Sequence, residues 1–244
     1  MRCISTDGTR FDIADALMLS FPRSGSTWLR YCLEHCTGRP ATNPGPPANN
    51  YAFYGHGAGC GHITDWTPCI TKMHRSNEFT DRFTGVPMVL LLRDPFEVLP
   101  SYDYNDNGGD LTIEEFCATQ PTERLKFLLG WYLENIGSAA TNDAPLMVIY
   151  YEDLLLSPGI VLRAILRFMG IDDSGVRPFM SNYDEHRLAA LGYAKHEELQ
   201  GGQKVNTGGV PGSRFRQHLP SSVRSALNRA CKDHLVLVRY METE

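Results

Sequence analysis

At 244 residues, with 42% hydrophobic and 21% charged side chains, the chain has the length and composition of an ordinary globular domain and not of a disordered tail. Its 28 acidic residues outweigh 23 basic ones for a formal charge of −5, which excludes a general pull on nucleic acid or an anionic membrane surface and leaves any anionic ligand to a few local cations. Seven cysteines form no disulfide framework, residues 1–15 lack the apolar stretch of a signal peptide, and no apolar run is long enough to span a bilayer, so reduced thiols in the cytoplasm and no membrane anchor are the expectation.

In chain order, Ala16 to Phe21 is a short apolar run stopped by Pro22, and Thr27 to Thr37 repeats apolar residues at helical spacing; this predicts strand, tight loop and helix, with Gly38 at the helix C-cap. Residues 39–68 are crowded with Gly, Pro and Asn and predict a long irregular excursion. Cys69 to Met73 and Met88 to Leu92 read as buried strands, the second turning into a helix within residues 93–102. Thr112 and Glu115 suit a capping box on a short helix, and Thr122 suits the cap of a longer one reaching about Ala139. Leu146 to Tyr151 is a further strand, and Pro158 to Met169 a helix closed by Gly170. The remainder reads as helical, apart from a Gly-rich stretch, Gly201 to Gly212, before a final helix from about Pro220. Apolar strands alternating with helices predict an α/β fold: one three-layer domain over residues 1–244, a central parallel sheet flanked by helices.

Residues 21–28, Phe-Pro-Arg-Ser-Gly-Ser-Thr-Trp, connect the first strand to the first helix, where backbone N–H groups and the helix dipole converge on an anion. Gly25 permits close backbone approach, Ser26 and Thr27 add hydroxyls, and Arg23 adds a fixed positive fork; the plainer alternative is a Ser-rich N-cap. The loop lacks the leading Gly and the Gly-Lys pair of the ATPase pattern. Pro22-Arg23-Ser24-Gly25-Ser26-Thr27-Trp28 resembles instead the P-K-S-G-T-T-W loop of sulfotransferases, enzymes related to the P-loop fold that transfer a sulfuryl group from 3′-phosphoadenosine 5′-phosphosulfate (PAPS) and release the bisphosphate PAP.

Three more blocks follow in the family's order. Arg93-Asp94-Pro95-Phe96-Glu97-Val98-Leu99-Pro100-Ser101-Tyr102 resembles R-N-P-x-D-V-x-x-S-Y, whose Arg and Ser hold the 3′-phosphate. Lys72-Met73-His74 ends a strand as the family's catalytic K-T-H does, and alternation along a strand puts Lys72 and His74 on one side. Tyr151-Glu152-Asp153-Leu154 resembles Y-E-D-L, which lies beside the nucleotide loop. The last block departs from the family: Gly209 and Gly212 keep the G-x-x-G spacing, but Thr207 and Gly208 replace an Arg-Lys pair, leaving Lys204, Arg214 and Arg216 as candidate replacements.

The resemblance implies His74 as general base, Lys72 and Arg23 as stabilisers of the departing phosphate oxygen, and a nucleotide site made of Arg23, Ser24, Gly25, Ser26, Thr27, Trp28, Arg93, Ser101, Tyr151, Gly209 and Gly212. It implies PAPS as cosubstrate with no metal, a small-molecule acceptor, no nucleic-acid or membrane partner, and a possible homodimer. Trp28 can stack on adenine or serve the core. Residues 94–123 hold eight acids and no Lys or Arg, from which a cationic natural-product acceptor is the expectation, with a solvated loop as the alternative. The rivals are a P-loop small-molecule kinase, a metal protein using His56, Cys60, His62, Cys69 and His74, and a nucleotide-binding module without activity.

Overall fold

The computed structural model describes residues 2–4, 10–12, 14–42, 67–75, 85–190 and 214–241. The chain divides into two compact units, Met1–Leu92 with Asn135–Gly208, and Arg93–Glu134 with Gly209–Glu244.

In the first unit a two-stranded antiparallel ribbon, β1 (Arg2–Ile4) and β2 (Arg10–Asp12), precedes the main sheet. Its five described strands, β3 (Ala16–Ser20), β4 (Ala41–Thr42), β5 (Ile70–Met73), β6 (Met88–Leu92) and β7 (Leu146–Tyr150), run in the order β4-β5-β3-β6-β7, each parallel to its neighbours. Every residue of β3 and β6 is buried, which is why both strands read as unbroken apolar runs rather than alternating ones. On one face Met18, Val89, Leu91 and Ile149 pack with Leu29 and Leu33 of helix α1 (Ser26–Thr37). The predicted first strand and helix therefore form, and Gly38 caps α1 with φ 64° and its N–H on the Glu34 carbonyl.

Within residues 39–68, read from sequence as irregular, the structure contains the short strand β4. Arg30, fully buried on α1, donates from Nε to the Ala41 carbonyl at 3.0 Å, and Glu34, one turn later, accepts the Ala41 N–H at 2.9 Å. This clip comes from a helix, so the local Pro/Gly composition gave no sign of it. Strand β7 ends at Tyr150, and Tyr151 already opens α5 (Tyr151–Leu156). Helix α6 (Pro158–Phe168) lays Leu162, Ile165 and Leu166 into the same core, followed by α7 (Val176–Ser181) and α8 (residues 183–190).

The second unit holds α2 (Pro95–Asn107), α3 (Ile113–Thr119), the first turns of α4 (Thr122–Ala140), α9 (Ser221–Cys231) and two 3-10 segments, Arg216–His218 and Leu235–Tyr240. Asp94 caps α2 by accepting the Phe96 N–H at 2.9 Å, with Pro95 in the first turn where its missing N–H costs nothing. The Thr112–Glu115 capping box forms with both reciprocal bonds, at 3.2 and 2.8 Å. Thr122 is instead inside α4: the Pro121 carbonyl accepts from the N–H groups of Arg124 and Leu125, so Pro121 occupies the cap.

Cys32, Cys36, Cys69, Cys117 and Cys231 are buried free thiols. Burial pushes Cys36, Cys69 and Cys231 up to about 12 and Cys117 to about 11. Among the described residues no helix is long and apolar enough to cross a membrane.

Candidate active site

The chain leaves β3 at Ser20 and enters α1 at Ser26 through a loop of alternating hand. Arg23 has φ 71° and Gly25 φ 88°, while Ser24 between them stays on the negative side. Such alternation turns successive N–H groups toward one side and makes an anion-binding concavity. Helix α1 adds to it: Gly25 at its N-cap offers no side-chain cap, and no acid stands in its first turn. Its leading N–H groups and the positive end of its dipole are thus left to an external acceptor. Ser24 is fully buried and its hydroxyl has no hydrogen-bond partner among the described residues. A buried hydroxyl in that state is costly unless something supplies the bond, and phosphate or sulfate oxygens do so. The residues present therefore fit the anionic end of a nucleotide.

Gly25 has a second reason to be glycine. A Cβ there would overlap the ring of Tyr151, which opens α5 directly beside the loop. Trp28 stacks on Tyr31 with ring centroids 5.5 Å apart and meets Tyr183 edge-on at 5.8 Å, so its indole is built into an aromatic cluster with Phe179. The core role anticipated for Trp28 is filled; a face toward adenine remains a proposal.

Strand β5 pairs with β3, Met18 beside Lys72 and Leu19 beside Met73, and delivers His74 just past the strand end. The His74 Nδ1 lies 2.8 Å from the Ser20 carbonyl. A carbonyl only accepts, so Nδ1 carries the proton and Nε2 the lone pair. From α4, Asn135, 2% exposed, donates Nδ2 to the His74 carbonyl at 2.9 Å and fixes the backbone under the ring. Burial, reinforced by the Lys72 charge and more weakly by Arg30, lowers the His74 pKa from 6.5 to about 4, although the bond to Ser20 works the other way. The imidazole is thus neutral at physiological pH.

That shift has a stability consequence. The unfolded chain takes up a proton at His74 near pH 6.5, and the folded chain only near pH 4. Folding is therefore fully favoured above pH 6.5 and loses up to about 3 kcal/mol as pH falls through this window. Urea unfolding at pH 7.5 and 5.0 should show about 2 kcal/mol of that loss in the parent and a smaller one in His74→Gln; identical profiles would assign the acid sensitivity elsewhere.

In the second unit, Tyr132 (1% exposed, on α4) clamps the peptide of Arg93, its hydroxyl donating to the Arg93 carbonyl at 2.8 Å and accepting the Arg93 N–H at 3.4 Å. Ser101 lies on α2, two turns along and buried. Gly209, Gly212 and Lys204, with His56, Cys60 and His62, lie outside the described residues. Arg216 is engaged structurally: its guanidinium stacks 4.1 Å over Phe96, Nε approaches Asp94 at 3.5 Å, and Nη2 donates to the Tyr240 carbonyl.

The acidic segment is largely spent in the same way. Asp94 caps α2, Glu115 completes its box, Glu123 pairs with Lys126, and Glu97 accepts backbone amides. Asp103, 3% exposed, gathers Asn107, Arg124 and Gln120 at 2.7–2.9 Å beside a cavity of about 280 Å³ between α2, α3 and α4. Asp106, Asp110 and Glu114 stand exposed. Among the described residues no group of three His, Cys, Asp or Glu is placed to hold a metal ion.

Sequence reading missed Asn135, Tyr132 and Glu97. The signal for the two α4 residues was present: Leu125, Leu128, Tyr132, Asn135 and Ala139 follow the core-facing spacing of one helix, so a polar side chain among them had to find a buried partner.

The profile of the sulfotransferase domain family matches residues 14–239. WSCD family members of Drosophila pseudoobscura pseudoobscura and Drosophila melanogaster are 28% and 26% identical over 160 residues, 62% of this chain and 49% of each relative, so the chain matches about half of their length. The fold is similar to that of mouse sulfotransferase SULT7A1 complexed with PAP, with TM-score 0.56 and 16% identity over 91% of this chain and 84% of that one. It is also similar to retinol dehydratase in complex with retinol and PAP, with TM-score 0.57 and 13% identity over 94% and 82%.

Proposed function

We propose that this chain, which belongs to the sulfotransferase domain family, transfers a sulfuryl group from PAPS to a hydroxyl or nitrogen of a small-molecule acceptor. One observation carries the reading: the ring of His74 is bonded to Ser20, the β3 residue from which the anion-binding loop departs, so a base and an oxyanion cradle share one strand end. The parallel pairing of β5 with β3 holds them in register.

Bound nucleotide would supply the sulfuryl group. The chain's own residues do the rest. His74 presents the Nε2 lone pair to the acceptor proton, and its basicity rises whenever an anion offsets the Lys72 charge beside it. Lys72 and Arg23 supply fixed positive charge for the departing phosphate oxygen, together with the N–H groups of Gly25 to Trp28. Arg93 and Ser101 are assigned to the 3′-phosphate, and Tyr151 to the wall of the loop. The nucleotide role of Gly209 and Gly212 rests on their spacing in the sequence. A cationic acceptor would have to be recognised through the exposed acids Asp106, Asp110 and Glu114, of which Asp106 also accepts from Asn105; a neutral acceptor needs none of them.

A P-loop kinase would need Mg²⁺ for its triphosphate, and the Gly-Lys pair that serves such a site is missing from the loop. Thermal unfolding with PAP, with ATP plus Mg²⁺ and with Zn²⁺ separates the readings. PAP at about 100 times its Kd should stabilise by about 2.7 kcal/mol, with no shift from the others. A shift with ATP and Mg²⁺ but not PAP would establish the kinase instead.

A further inference from the structure

Glu97 is a carboxylate 6% exposed, and its environment is made of backbone. It accepts the N–H of Arg214 at 3.1 Å, of Phe215 at 3.1 and 3.2 Å, and of Arg216 at 2.9 Å. Burying a carboxylate is expensive unless its oxygens are bonded, and three consecutive amides on one side chain meet that cost. The neighbouring residues of α2 hold the same stretch: Phe96 lies under the Arg216 guanidinium and Asp94 beside its Nε. The sequence that runs into this anchored stretch is Gly209-Val210-Pro211-Gly212, the block in which Thr207 and Gly208 stand where the family carries two cations.

We propose that Glu97 is a positioning residue for 3′-phosphate recognition: it ties the stretch after the Gly-rich block to the helix that follows Arg93 and carries Ser101, and so launches Arg214 from a fixed backbone as the replacement cation. Arg214 is exposed and, as the first residue of the anchored stretch, lies next in sequence to the Gly-rich block, while Arg216 packs on Asp94, Phe96 and Tyr240. The inference rests on the nucleotide reading above and extends it to a residue that touches no nucleotide.

The test compares two nucleotides by calorimetry on the full chain. PAP carries the 3′-phosphate and adenosine 5′-monophosphate lacks it, so the ratio of their Kd values isolates that group. Glu97→Gln should reduce the preference for PAP about tenfold with the monophosphate unchanged, the size expected when a charged hydrogen-bond acceptor is lost. Arg214→Ala should produce the same loss, the two together no further loss, and Glu97→Asp a partial recovery. Exposed Glu123→Gln serves as the control. An unchanged ratio in Glu97→Gln, or an equal loss for both nucleotides, overturns the inference; where that variant does not fold, Glu97→Asp carries the comparison, and either of the same two results overturns it. A parent chain that binds PAP no better than the monophosphate would remove the nucleotide reading itself, and this inference with it.

Discussion

His74→Ala should lower the rate of PAP formation in the presence of an accepted hydroxyl compound by two or more orders of magnitude, with PAP affinity within a few-fold of the parent. A positioned general base contributes on the order of 10²- to 10⁴-fold. His74 meets the geometric condition through two independent fixings: Nδ1 on the Ser20 carbonyl sets the tautomer and the ring plane, and Asn135 on the His74 carbonyl sets the backbone. Neither fixing involves the anion loop's N–H groups, which is why binding should survive the substitution. The low pKa sharpens the expectation, because a neutral imidazole at pH 7 needs no deprotonation before it acts. Near-parental turnover in His74→Ala would end the base assignment. Loss of PAP binding along with turnover would show the ring to be part of the cradle instead.

The second large effect is expected at Gly25. With φ 88° and a Tyr151 ring where a Cβ would go, alanine meets two penalties at once. The left-handed conformation alone costs roughly 1–2 kcal/mol for a residue with a Cβ, and forced overlap typically adds 1–3 kcal/mol. Gly25→Ala should therefore lower stability by about 2–5 kcal/mol, and the distorted N–H array should bind PAP at least tenfold more weakly. The two penalties separate experimentally. Adding Tyr151→Ala to Gly25→Ala should restore the part due to overlap and leave the part due to φ. A Gly25→Ala protein with parental melting temperature and PAP affinity would mean that the loop relaxes freely and that its alternating hand has no part in binding.

Much of the first unit was legible because its signals are local. Fully apolar strands, a Pro that stops β3 and a Gly that caps α1 each act within a few residues, and the boundaries agree to within about one residue. Block order along the chain likewise singles out the loop, His74 and the Arg93 segment, and in the structure His74 is bonded to Ser20 where the loop begins. Long-range partnerships were not legible. Strand β4 depends on two side chains of α1 that face it across a turn of chain, and Tyr132, Asn135 and Glu97 act on backbone groups 39, 61 and 117–119 residues away. Composition also misdirects where charge is consumed internally. The run of acids in residues 94–123 looks like a field for a cation, yet Asp94, Glu97, Asp103, Glu115 and Glu123 are occupied with caps, amides and ion pairs.

The five buried thiols bear on a different question. Alkylating agents, glutathione disulfide and peroxide react with thiolates, and side chains held protonated and shielded from solvent offer almost none. Unpaired sulfur of this kind persists as well in an oxidising lumen as in a reducing one. The redox poise of the surroundings is therefore not written into these five positions, and a maleimide label at any of them would report on unfolding of the core rather than on the milieu in which the protein works.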